Sequence, residues 1–364
     1  MSRLLRRKIP ALFSLLFMIG LLWPVPAAGA DTLYEVTYAG KIGAAAVRMQ
    51  LQLKGGAVAG STLYNRVRGP YRLQGSLDRL RRIHLQEYDR HGRLVGVFQG
   101  RLPSLLQFYG TWSGPEGLRR LGFNLTAAPP PPAPGQKPFR AGIWSRIGVA
   151  PYEPATLIIA ASTPQGFRFT LTAFSGSHTG VVTGIAKLNG NVAIWTDPRR
   201  GCRLQLAMVQ DLLSITAFGN CSDTAGAGVF FDGDYHEGVW NEPLPTLVDL
   251  GVLDTPAQDS SFRELVGRFY DLFVETFHLL SPAEDLDGLG AKVMVGWVRG
   301  LNGSDEAIVM AGPDGSFSAA VLDGERIRYF SDMPGFQERP PRTVAQWCGR
   351  FPEKKLVRMN ERAF

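Results

Sequence analysis

Residues 82–100 read Arg82-Ile83-His84-Leu85-Gln86-Glu87-Tyr88-Asp89-Arg90-His91-Gly92-Arg93-Leu94-Val95-Gly96-Val97-Phe98-Gln99-Gly100. Two β-prone runs flank Asp89-Arg90-His91-Gly92, whose Asp and Gly are residue types that a tight reversal needs. Successive side chains of a strand point to opposite sides. Ile83, Leu85 and Glu87 therefore share one face, and Arg82, His84, Gln86 and Tyr88 share the other. The stretch is a hairpin with one apolar face, and that face carries a carboxylate.

The same rhythm continues on both sides. Leu33–Tyr38, Ala46–Leu53, Gly56–Asn65, Pro70–Ser76, Leu80–Tyr88, Arg93–Gly100, Leu105–Thr111 and Leu118–Leu125 are short β-prone runs, most of them separated by Gly, Asp or Asn turns. Sequential hairpin strands in that number can close into an up-and-down barrel, which removes exposed edges. Residues 31–126 are therefore expected to form an antiparallel β-barrel-like module. Residues 127–138 follow as a Pro-rich linker, extended and stiff because five of the six residues from Pro129 to Pro134 are proline.

Residues 139–238 read as a second β module. Its strand candidates are Thr156–Ala161, Phe167–Phe174, Gly180–Ala186, Val192–Thr196, Arg203–Met208, Leu212–Ala217 and Gly228–Tyr235. Cys202 and Cys221 sit at opposite ends of an adjacent strand pair and are natural disulfide partners in an oxidising compartment. Cys348 is left unpaired.

The pattern changes over residues 239–364. Ser261-Phe262-Arg263-Glu264 fits a capping box, and Phe262, Leu265, Val266, Phe269, Tyr270, Phe273, Val274 and Phe277 follow at helical spacing. Ala291–Val298, Glu306–Ala311, Ser316–Leu322 and Arg326–Phe330 read as strands, and a last helix starting near Thr343 carries Trp347. The expected unit is α+β, one main helix against a four-strand antiparallel sheet. The fold class is mainly β: two antiparallel barrel-like modules followed by a C-terminal α+β module.

Export is written at the start. Arg3, Arg6, Arg7 and Lys8 precede the apolar run Ala11–Trp23, and Ala28-Gly29-Ala30 offers small residues for cleavage. Residues 1–30 are thus expected to be a signal peptide, and the protein to be periplasmic or secreted, with no transmembrane segment after cleavage. The net charge of +7 over 364 residues drops to +3 without that segment, so basicity does not argue for nucleic acid. The distribution says more. Residues 63–120 carry a net +7 and residues 232–306 a net −11, which either steers an anionic partner or docks the two parts on each other.

Motifs for catalysis are missing from the sequence. There is no Gly-x-Ser-x-Gly elbow, no phosphate-cradling Gly-rich loop ending in Gly-Lys, and no Cys-x-x-Cys. His236-Glu237-Gly238-Val239-Trp240 begins like a zinc-protease motif but places Trp240 where the second His belongs. Glu284, Asp285 and Asp287 precede Gly288, yet the bidentate calcium ligand expected six residues after the Gly is Met294. Ser281-Pro282 reads better as a helix start with Glu284 and Asp285 in its first turn. No metal or cofactor is expected. Glu87 remains: inside a barrel a carboxylate must be paired or protonated. Tyr64, Tyr71 and Trp112 can meet it in a ligand pocket, or its partners are purely structural.

Ile83, Leu85, Glu87, Asp89, Gly92, Gly96, Phe98, Gly100, Gly110 and Trp112 together resemble a β-meander module common in secreted bacterial proteins. The Cys202 and Cys221 region, closing on Gly228-Val229-Phe230-Phe231-Asp232-Gly233-Asp234-Tyr235, resembles an envelope module of proteins similar to periplasmic lysozyme inhibitors. Glu306-Ala307-Ile308-Val309-Met310 with Asp314-Gly315, Tyr329-Phe330 and Pro341 to Trp347 is similar to the end of a family of proteobacterial exported proteins. The resemblance supplies no catalytic residue. Export, the β architecture and the absence of catalytic motifs lead to the expectation of a non-enzymatic binding protein of the cell envelope, with a small ligand or an envelope protein as partner and, in its narrower form, inhibition of a cell-wall lytic enzyme. The rival expectations are an envelope hydrolase whose carboxylates, Glu284, Asp285 and Asp287, converge on folding, and a plain interaction scaffold.

Overall fold

The computed structural model describes residues 33–65, 69–130, 139–241 and 243–359. Residues 1–30, expected to be a signal peptide, and residues 131–138 of the expected linker lie outside the described residues. The chain is mainly β, as expected.

The first module is a closed barrel of eight strands in chain order: β1 (Tyr34–Ile42), β2 (Ala45–Lys54), β3 (Ala57–Tyr64), β4 (Tyr71–Leu77), β5 (Arg82–Tyr88), β6 (Leu94–Ser104), β7 (Gln107–Ser113) and β8 (Arg120–Ala127). Antiparallel pairing of Tyr38 with Ala127 through Ile42 with Phe123 closes it. Alternation dictates the interior: Tyr38, Met49, Leu51, Leu73, Leu85, Phe98, Phe108 and Leu125 are buried, and Glu87 is buried with them.

The second module repeats that meander with β9 (Gly142–Ile147), β10 (Ala155–Thr163), β11 (Gly166–Ser175), β12 (His178–Asn189), β13 (Val192–Asp197), β14 (Cys202–Val209), β15 (Leu212–Gly219) and β16 (Gly233–Glu237). Strand β9 is absent from the sequence reading, and it is the strand that closes the barrel, lying between β10 and β16. The run expected as a strand from Gly228 is extended sheet only from Gly233. Residues 228–232 form a loop, pinned by Arg146 donating to the carbonyls of Phe230 at 2.8 Å and Asp232 at 3.2 Å. Cys202 and Cys221 form the expected disulfide.

The third module is a six-stranded sheet: β17 (Leu279–Pro282), β18 (Lys292–Trp297), β19 (Glu306–Ala311), β20 (Phe317–Asp323), β21 (Arg326–Ser331) and β22 (Lys355–Arg358). The four expected strands form its centre; β17 flanks β18, and β22 adds in parallel to β21. Helices α1 (Pro256–Val266) and α2 (Tyr270–Thr276) cover one face through Phe262 and Phe273, and α3 (Arg342–Cys348) covers the other through Val344 and Trp347. That is why β19 and the body of β20 are buried on both faces.

Two local expectations are corrected here. The capping box is Thr255 with Gln258, not Ser261 with Glu264, and Ser261 is an exposed residue inside α1. Pro256 explains the choice, since proline at the first helical position loses no hydrogen bond and lets the helix begin a turn and a half earlier. The long helix also breaks at Gly267, whose φ of 55° takes the chain through a short 3₁₀ turn before α2. The second correction concerns Ser281-Pro282, which ends β17 instead of starting a helix. The loop that follows serves α3: Asp287 accepts the backbone N–H groups of Arg342 and Thr343, each at 2.9 Å.

The basic and acidic segments meet. Arg81, in a left-handed conformation with φ 61°, pairs with Asp234, and Arg79 lies 3.6 Å from Asp249. Asp234 is wholly buried and also accepts from the backbone N–H of Leu105 and the hydroxyl of Ser214. Ala207, Val209 and Leu212 of the β14–β15 hairpin join the core of the first barrel. One end of that barrel is thus sealed by the second module.

Candidate functional site

The first barrel is open at the end carrying the β1–β2, β3–β4, β5–β6 and β7–β8 turns, away from the seal. A cavity of about 860 Å³ lies there, within the size range of small-molecule sites. Tyr64, Tyr71, Glu87 and Trp112, singled out from the sequence, all line it, together with Arg119 and the apolar wall of Ile42, Val95 and Leu121.

Glu87 sits at the depth of this mouth, 1% exposed. Tyr64 at the end of β3 donates its hydroxyl to the carboxylate at 2.9 Å, and Trp112 on β7 donates Nε1–H at 3.0 Å. Tyr71 stands edge-on to Tyr64, ring centroids 5.5 Å apart and planes 86° apart. Burial pushes the Glu87 carboxyl above its ordinary value, opposed by its contacts with Trp112, Tyr64 and Thr62. Burial likewise raises the Tyr64 phenol, which stays a donor. The Thr62 hydroxyl is buried beside the carboxyl.

Gly96 makes the arrangement possible. It faces inward, directly opposite Glu87 across the β5–β6 ladder. A Cβ there would stand 2.2 Å from Trp112 Nε1, so only glycine leaves the space in which the indole lies across β6 to reach the carboxylate. Sequence reasoning noted Gly96 without this role, and it missed Arg119 and Thr62. Arg119 belongs to the turn before β8, and the β7–β8 hairpin brings it over the Trp112 ring, 6.0 Å from its centroid.

A second cavity, about 690 Å³, lies where the three modules meet and is lined by Arg82, His84, Arg101, Tyr152, His278 and Arg299 among others. His278 stacks on Tyr152 with centroids 3.8 Å apart. Burial, with Arg299 and His178 nearby, lowers the imidazole to about 4 and keeps it neutral. Arg82 is already taken by Asp78 at 2.5 Å and by the Asp249 carbonyl. These groups hold the modules together.

The other candidates separate. Glu284 is exposed, while Asp285 accepts the backbone N–H groups of Asp287 and Ala291, each at 3.1 Å, and Asp287 caps α3. The three acids therefore organise a loop and do not converge on a cleft. Burial pushes the Cys348 thiol up to about 11, which makes it a poor nucleophile. Among the described residues no three His, Cys, Asp or Glu side chains cluster as a metal site, and no helix is long and apolar enough to cross a membrane. Comparison with protein-family models, curated proteins and solved structures found no match, so the chemistry of the mouth is read from its geometry.

Proposed function

We propose that this chain is an exported, non-enzymatic binding protein of the cell envelope that holds a small ligand in the mouth of its first barrel. The observation that carries the reading is Glu87: a carboxylate buried in an open, aromatic-walled cavity, held by neutral donors. Such a group keeps unused bonding capacity for a partner. The Cys202–Cys221 disulfide suits an oxidising compartment outside the cytoplasm.

The test is native mass spectrometry of the mature protein purified gently from its own envelope. A small extra mass that is lost on denaturation, and absent from a Tyr64→Phe, Trp112→Phe double variant, is the expected result. A bare chain from the same preparation overturns the carrier reading and favours a scaffold. Inhibition of a cell-wall lytic enzyme is the narrower form of the proposal, and unchanged muramidase activity at stoichiometric excess removes it.

A further inference from the structure

Four carboxylate residues are buried among the described residues: Glu87, Asp234, Asp259 and Glu306. Three of them have an arginine, Arg81 beside Asp234, Arg263 at 3.7 Å from Asp259 and Arg350 at 2.9 Å from Glu306. Glu87 has no cationic partner among the described residues; the phenol of Tyr64, the indole of Trp112 and the hydroxyl of Thr62 beside it are all neutral. A buried carboxylate without a counter-charge is costly, and elsewhere in this fold that cost is met by arginine. Only this one opens into a cavity with three aromatic side chains around it.

Arg119 is the complement of Glu87. Its exposed guanidinium lies over the same indole and has no carboxylate partner among the described residues. Trp112 thus touches both the buried carboxyl of Glu87 at depth and the guanidinium of Arg119 at the rim. Aromatic faces beside a carboxylate attract an ammonium group, and a guanidinium at a rim attracts a carboxylate or another planar anion.

We infer that the mouth recognises a zwitterionic ligand, its ammonium seated against Glu87 between Tyr64, Tyr71 and Trp112 and its anionic group at Arg119. The inference rests on the binding role proposed above and names the chemical class of the ligand. A cation alone leaves the rim arginine unused and meets its repulsion. An anion alone leaves Glu87 without a partner.

Isothermal titration of the mature full chain with three probes of one chain length tests it: ε-aminocaproate, n-hexylamine and caproate. ε-Aminocaproate is expected to bind most tightly, n-hexylamine more weakly, and caproate not measurably. Glu87→Gln should weaken both amines by about tenfold or more, whereas Arg119→Gln should abolish only the advantage of ε-aminocaproate over n-hexylamine. Arg119 is exposed, so that second variant carries the test even if Glu87→Gln folds poorly. Caproate binding best, or amine binding indifferent to Arg119→Gln, overturns the zwitterion assignment. No heat from any probe also overturns it. If a native mass is nonetheless retained, the binding role stands with a different ligand class; if none is retained, both fall.

Discussion

At the scale of single residues the mouth depends on one absent side chain and one buried carboxyl without a counter-charge among the described residues. Gly96→Ala puts a methyl group where the Trp112 indole lies, and the ring must move away from Glu87. Overpacking of this kind costs about 1–3 kcal/mol, which urea unfolding would measure. Glu87 has a sign that can be checked. Its folded-state pKa is raised above 4.5, so the folded chain holds this proton more tightly than the unfolded chain. The group therefore stabilises the fold at acid pH, and that contribution is lost as pH rises through the folded value. The stability of Glu87→Gln relative to the parent should accordingly improve as pH is raised from 4 towards neutrality; a difference independent of pH would contradict the assignment. That Glu87 faces inward was legible from parity with Ile83 and Leu85, because a strand has period two. Its partners lie on β3 and β7, so parity alone does not select them.

At the scale of elements the sequence was most informative where turn chemistry and alternation agree, as in all eight strands of the first barrel. It failed where a strand breaks the rule. Strand β9 carries Ser145 and Arg146 as buried residues, and nothing local marks Gly142–Ile147 as the strand that closes a barrel. The sequence reading also passed over Thr255-Pro256-Ala257-Gln258, the capping box with which α1 begins. The disulfide belongs to this scale. It closes a loop of sequence separation 19 and ties the start of β14 to the segment after β15. Reduction should cost about 3 kcal/mol in the chain-entropy account, seen as a lower Tm of the second barrel with reductant present.

At the scale of the whole molecule the opposed charges of the two segments serve docking. Asp234 alone joins Arg81 of the first barrel, the Leu105 backbone and Ser214 of its own barrel. Asp234→Ala would leave a largely buried guanidinium and a buried N–H unpaired. A loss of about 3–5 kcal/mol is expected, with the first barrel melting in a separate transition by calorimetry. A single unshifted transition would show that the apolar seal of Ala207, Val209 and Leu212 suffices by itself.

The sequence by itself determined the three-part organisation, the mainly β class, the cysteine pair and the inward face of Glu87. Each rests on local chemistry: strand parity, turn residues, proline stiffness and proximity along the chain. Tertiary structure alone decided which end of the first barrel is sealed, that Tyr64, Tyr71, Trp112 and Arg119 surround one carboxylate, and that Asp285 and Asp287 serve a loop and a helix cap. Most of those outcomes depend on strand order around the barrel, packing within the third module and docking between modules, which join residues far apart in sequence, as Tyr64 and Trp112 meet at Glu87 and Asp287 meets Thr343. No spacing rule along the chain encodes such contacts.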